Sequence, residues 1–190
     1  FKSEKYFYDV AFGAEHGSND PTIKKWTKDI QLKVAGTPSK EDNNTITNII
    51  NELNTLLAGS IKITRTEGND FNARIDIIPR SKFKETLANS NELANGFVTV
   101  EFTSQGEIVK SRILIANNLT GDKRAHVIRE ELTQSLGILK DSFKFRSSVF
   151  YQGNNSVTAF SKEDKDVISL LYQKDIKTGM SREETLAMIL

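Results

Sequence analysis

The residues best equipped for chemistry lie in one stretch, HVIREELTQSLGILKDS, residues 126–142. It holds the histidine His126, the acids Glu130, Glu131 and Asp141, and the amide Gln134. On a helix, with about 100° between successive residues, His126, Glu130 and Gln134 fall at i, i+4 and i+8 and form one row. Ala125, Ile128, Leu132, Ser135 and Leu136 gather on another side, which should pack on the sheet. Glu131 has the chemistry of a general base, and Glu130, Gln134 and Asp141 have that of oxygen ligands to a metal. Adjacent in sequence, Glu130 and Glu131 point apart and make a poor acid–base pair by themselves. The bland alternative is a surface helix with a polar wet face. For His126, a hydrogen bond to Glu130 is the plainer reading than metal ligation. The other histidine, His16, sits in the loop-like stretch AFGAEHGSND and is a weak catalytic candidate.

These side chains need a scaffold, and its elements are readable. Residues 23–35 read as a strand. Ser39 and Asp42 make a capping box for a helix whose Ile46, Ile49, Ile50, Leu53, Leu56 and Leu57 recur at helical spacing. Gly59 is placed to end that helix. Residues 60–67 and 73–79 alternate with period two, and 97–117 reads as two strands joined near Gln105 and Gly106. Gly121 and Asp122 open the helix that carries the stretch above, and Gly137 stops it. Ser161 with Asp164, and Ser181 with Glu184, open two further helices. The order predicts an α+β domain: a mixed twisted sheet, an opening helix, the helix of residues 122–137, and C-terminal helices. Residues 1–190 read as a single domain, with 1–22 as an N-terminal extension or an edge strand.

The bulk numbers exclude some functions. The chain has 190 residues, 26 basic and 25 acidic, for a formal net charge of +1. A balance of that kind, with only short mixed basic clusters such as IKKWTK and DKRAH, argues against nucleic acid as a partner. No apolar run approaches the ~20 residues of a membrane span. With no Cys, disulfides and thiolate metal sites are excluded. The first residue is Phe1 rather than Met, which leads one to expect an upstream segment, such as a trimmed signal peptide.

From about Ile23 to Leu190 the chain resembles the metzincin branch of the zincin metallopeptidases, whose signature is H-E-x-x-H-x-x-G-x-x-H/D. In that frame Glu131 and Gly137 match. Glu130, Gln134 and Lys140 stand at the three ligand positions, with Asp141 next to the third. SSVFY (147–151) is similar to the turn that carries Met in that family, with Phe150 where Met would stand. FSKEDKDVISLLYQ (160–173) is similar to the segment that follows it. The chain also resembles an exported bacterial family of unknown function with the signature E-E-L-x-Q-x-L-G, then D-S and G-M-S. EELTQSLG (130–137), DS (141–142) and GMS (179–181) match as they stand.

The resemblance implies a zincin-like fold, with export to the periplasm or cell surface. It also implies that Glu131 would be the general base of an active relative. Zinc favours imidazole or thiolate, and a catalytic site uses three protein ligands and an open position. Glu130 and Gln134 supply neither, and a cationic Lys140 would repel a metal. No cofactor is therefore expected. A hard divalent cation on Glu130, Gln134 and Asp141 is the alternative, though three ligands are a thin set for one. Without a metal to lower the pKa of water, Glu131 is a feeble base for amide hydrolysis. The expectation is a binding protein with a degenerate peptidase site rather than an enzyme. Its cleft would be lined by His126, Glu130, Gln134, Asp141, Phe150 and Tyr151, and its ligand a peptide, a glycan or a protein. The competing readings are a hydrolase with an oxygen-ligand metal site and Glu131 as base, and a structural envelope protein with no functional cleft.

Overall fold

Alternating side chains on three central strands give the sheet two faces, one against the main core and one against a smaller buried cluster of Phe83, Phe97, Leu114 and Ala116. The computed structural model of the protein describes residues 2–12 and 21–189. The elements are α1 (Lys2–Ala11), β1 (Lys25–Trp26), β2 (Ile30–Gly36), α2 (Lys40–Leu57), β3 (Ile63–Arg65) and β4 (Ala73–Ile78). A 3-10 turn over Arg80–Lys82 then runs into α3 (Phe83–Thr86). It is followed by β5 (Gly96–Phe102), β6 (Glu107–Ala116), α4 (Gly121–Gln134), α5 (Lys162–Leu171) and α6 (Arg182–Ile189).

Strands β3, β2, β4 and β6 are neighbours in that order and all parallel, and β1 pairs in parallel with the start of β6. Strand β5 runs antiparallel on the other side of β6. Val34, Ile75, Ile113 and Val98 stand in one register row across four strands. With Leu32, Ile77 and Ile115 they pack into the main core, to which α2 and α4 contribute Ile46, Ile49, Leu53, Ile128 and Leu132. On the opposite face Asp76 is buried between two arginines. Arg74 reaches it through Nε at 3.0 Å and Nη2 at 2.8 Å, and Arg112 through Nη2 at 3.2 Å. This is the expected α+β domain with a mixed sheet.

Local chemistry explains the element ends. Ser39 Oγ accepts from Asp42 N–H at 3.1 Å while Asp42 Oδ2 accepts from Ser39 N–H at 2.7 Å, a complete capping box at the start of α2. A second complete box joins Ser161 and Asp164 at α5. Two expectations need correcting. The strand expected over 23–35 breaks into β1 and β2, because Trp26 turns inward and Asp29 Oδ1 leaves the strand register to accept from Lys62 N–H at 2.8 Å. Lys2–Ala11, within the segment expected to be an extension or an edge strand, is helix α1. Its Tyr6, Phe7 and Val10 recur at helical spacing and are fully buried, with α1 packed on α5. Gly59 follows the end of α2 at φ +79°, as expected, and Ala58 before it is also left-handed, at φ +49°.

A Cβ in the left-handed region is strained, and Ala58 is exposed, so nothing else competes at that position. Ala58→Gly is expected to raise stability by about 0.5–1 kcal/mol, as read from the midpoint of urea unfolding.

Candidate functional site

Helix α4 is held at both ends before any of its polar residues comes into play. At its start Arg124 Nε donates to Asp42 Oδ1 at 2.7 Å, and Nη2 contacts the other carboxylate oxygen. Arg124 Nη1 donates to the carbonyls of Asn117 at 2.6 Å and Leu119 at 3.2 Å. Burial alone would push the Asp42 carboxyl up; the Arg124 guanidinium and the Ser39 N–H outweigh it and hold the carboxyl below its usual range. At the far end the carbonyls left without helical partners are taken by two buried side chains. Trp26 Nε1 donates to Ser135 O at 2.9 Å, and Tyr172 Oη donates to Leu136 O at 2.7 Å. Gly137 then turns the chain at φ +115°. A Cβ there would lie 2.0 Å from the Lys24 carbonyl oxygen, so only glycine fits.

The surface-helix reading fails for α4. Every residue from His126 to Gln134 is buried except Glu130, which is half-buried. The row His126–Glu130–Gln134 forms as the spacing predicts. His126 Nδ1 meets Val157 O at 2.7 Å, and its Nε2 faces Glu130 Oε2 at 3.2 Å. One turn further on, Gln134 Nε2 donates to Asp141 Oδ1 at 2.6 Å. The turn at Gly137 thus returns Asp141 to the helix and leaves Lys140 exposed, a one-residue shift from the frame in which Lys140 would hold the third position.

Glu131 leaves the helix on the β5 side. A Cβ on Gly96 would lie 2.7 Å from Glu131 Cγ and Oε1 and from Val127 Cγ1, so the bare backbone of Gly96 makes room for it. Glu131 lines a depression of about 260 Å³ together with Asn91, Asn95, Lys123, Glu130 and Asp141. A second depression of about 360 Å³ shares Asn95, Lys123, Glu130 and Asp141, and adds His126, Tyr151, Gln152 and Asn154. Together they form one groove along α4, between the start of β5 and residues 151–154. Volumes of this size suit a small ligand.

The SSVFY turn forms the far wall. Ser148 Oγ donates to Asp164 Oδ1 at 2.5 Å and lies 2.7 Å from Tyr6 Oη. Val149 N–H donates to Asp164 Oδ2 at 3.0 Å, and Asn155 Nδ2 to Ser148 O at 2.8 Å. Burial pushes the Asp164 carboxyl up, against the pull of these donors. Ser142 N–H to Phe150 O at 2.9 Å and Gln152 N–H to Ser142 O at 3.1 Å tie the turn to the strand-like segment beside Asp141. Two of the expected cleft residues lie elsewhere. Phe150 is fully buried in the main core, where its ring supports the turn from below. Gln134 is buried and acts on Asp141 and not on the groove itself. His126, Glu130, Asp141 and Tyr151 do line the groove. Sequence reasoning missed Asn95, Lys123, Gln152 and Asn154. The polar stretch YQGNN was the available signal, and it reads simply as a loop. His16 lies outside the described residues.

The positions that would hold zinc in the resembled motif are engaged otherwise. The single imidazole of the row is engaged by Val157 and Glu130, Gln134 turns its amide nitrogen toward Asp141, and Lys140 faces solvent. Among the described residues, no three His, Asp or Glu side chains converge closely enough to hold a metal ion. No described helix is long and apolar enough to cross a membrane.

A sequence profile of the family described as "Protein of unknown function (DUF2927)" matches residues 2–190. No curated protein matches the chain. Among solved structures, the crystal structure of myroilysin is similar at a TM-score of 0.45 and 10% identity, covering 87% of this chain and 95% of that one.

The Arg124–Asp42 contact ties α4 to α2, and breaking it is expected to cost about 2–3 kcal/mol. Because the Asp42 pKa is lower in the folded state, this contribution is complete above the usual aspartate range. It is lost as pH falls through the folded value. Asp42→Asn should therefore lower the melting temperature at neutral pH and flatten the acid limb of the stability profile. Equal acid limbs in the two proteins would refute the assignment.

Proposed function

We propose that this chain, which belongs to the DUF2927 family of proteins of unknown function, is a zincin-like protein whose groove binds a ligand without hydrolysing it. One observation carries the reading. The two helix positions that would hold metal ligands are each tied to a neighbour, Glu130 to His126 and Gln134 to Asp141. The groove beside them stays open and polar. Support for the zincin-like part comes from the EELTQSLG frame, the glycine turn after the helix, the SSVFY turn beneath it, and a mixed sheet with an opening helix and C-terminal helices. The ligand is a peptide, a glycan or a protein, met in the periplasm or at the cell surface as the resemblance to an exported family implies.

In this reading Glu130 and Asp141 are acceptors for the ligand's polar groups, and His126 and Gln134 hold them in place. Glu131, at the β5 side of the groove, contributes a further acceptor. A hydrolase using Glu131 as general base is the second reading, and the observation favouring it is that Glu131 lines the groove beside β5.

Elemental analysis of protein purified without chelators or affinity-column metals, combined with a peptide-hydrolysis assay, separates the two. The binding reading expects no stoichiometric metal and no turnover that a chelator abolishes. The hydrolase reading expects a copurifying divalent ion and a loss of at least about 10²-fold in rate for Glu131→Gln. Stoichiometric zinc with chelator-sensitive proteolysis would overturn the proposal.

A further inference from the structure

We propose that the outer face of the sheet, on the side away from the main core, carries a binding site for a soluble phosphate group, built from Lys33, Arg74 and Arg112. It is independent of the reading of the groove.

The three residues stand in one register row. Lys33 of β2 is opposite Arg74 of β4, and Arg74 is opposite Arg112 of β6, with Thr99 of β5 at the end of the row. Neighbouring strands lie about 4.8 Å apart, and like charges directly opposite one another destabilise a sheet. Burial of the other face, met by Val34, Ile75 and Ile113, calls for no cation at any of the three positions. Among the described residues, Asp76 is the one carboxylate within ion-pair reach of the row, and it pairs with Arg74 and Arg112. In the adjacent row Lys110 and Glu101 pair with each other, at 3.4 Å. Three positive charges therefore meet one negative charge, an excess of two.

Hydrogen-bond donors are left over as well as charge. Asp76 takes Nε and Nη2 of Arg74 and Nη2 of Arg112, so one buried carboxylate holds two guanidinium groups side by side. Neither Nη1 has an acceptor among the described residues, and Arg112 Nε, which is buried, has none either. Lys33 Nζ donates to Gly68 O at 3.0 Å and Asn69 Oδ1 at 3.1 Å, which leaves its third N–H. A folded face rarely leaves so many donors unmet, and an oxyanion from solution fills that deficit. A carboxylate would cancel half of the excess charge. A phosphate group carries about −1.5 to −2 at neutral pH, and its oxygens accept from two guanidinium groups at once. The surroundings favour a small soluble ion over the flat surface of a bilayer. Residues 68–71 border the row on the β2 side, where the Phe71 ring lies 5.4 Å from Lys33 Nζ and 6.0 Å from Arg74 Cζ. Further along β6, α3 covers the sheet through Phe83, in one buried cluster with Phe97, Leu114 and Ala116.

The test is a titration of the full chain with inorganic phosphate at neutral pH and constant ionic strength, followed by calorimetry and by amide chemical shifts. Acetate serves as the singly charged control. Phosphate should bind saturably at millimolar concentration or below and move the resonances of residues 33, 68–76 and 112, and acetate should not. Lys33→Gln and Arg112→Gln should each weaken binding by roughly three- to tenfold, whereas Lys62→Gln, which removes the same charge from an exposed position outside the row, should leave it unchanged. Lys33 does not touch Asp76, so its variant remains a fair test if Arg112→Gln loses its fold. No saturable binding, an equal response to acetate, or binding indifferent to both row substitutions overturns the inference. So does binding to phosphatidylcholine vesicles that depends on added phosphatidic acid, if soluble phosphate has no effect.

Discussion

The carbonyl oxygen of Lys24 occupies the space that a side chain on residue 137 would need. That contact fixes where α4 ends against the sheet, because β1 runs on from Lys24 and pairs with β6. Trp26, two residues later, and Tyr172, at the end of α5, supply the donors that the last carbonyls of α4 lack. An end of a helix buried in this way would carry unsatisfied acceptors without them, each costing about 1–3 kcal/mol. The geometry of the groove follows from this junction. The direction of the turn decides that Asp141, and not Lys140, comes back onto the helix row.

Two carboxylates of the groove, Glu130 and Asp141, are each paired with a buried side chain of α4. His126 is 1% exposed and Gln134 5%, while Glu130 and Asp141 are half-buried. The buried member fixes the orientation of the carboxylate and satisfies part of its hydrogen-bonding capacity. A buried polar group must find a partner, and here each finds it within the row or across the turn. The two carboxylates are thereby each held from the helix side by one fixed contact.

Much of the fold could be read from the sequence because its signals are local. Capping boxes at Ser39 and Ser161 and the helical spacing from Ile46 to Leu57 each depend on residues within a few positions of one another, and they appear where expected. The i, i+4 contact between His126 and Glu130 is of the same kind. What was hidden depends on contacts distant in sequence. The break after Trp26 arises from an indole reaching Ser135, 109 residues away. The burial of Phe150 depends on the core it joins, and its place in SSVFY, next to a tyrosine that faces the groove, gives no sign of which ring turns inward. Helix α1 is short, and its aromatic residues make sense only once α5 is in place to cover them. The groove's amides were illegible for the converse reason: Gln152 and Asn154 sit in an irregular segment with no periodicity to interpret.

Asp164 performs two tasks with one carboxylate. Its Oδ2 accepts from both Ser161 N–H, at 2.9 Å, and Val149 N–H, at 3.0 Å, and its Oδ1 accepts from Ser148, whose hydroxyl also meets Tyr6. The wall of the groove is thus anchored on the carboxylate that also caps α5. Between Gly137 and Lys162 there is no helix and no strand beyond a single bridge. One carboxylate thus joins the turn, the first turn of α5 and, through Ser148 and Tyr6, helix α1. Loss of the Asp164 carboxylate would remove the cap of α5 and the anchor of the SSVFY turn together.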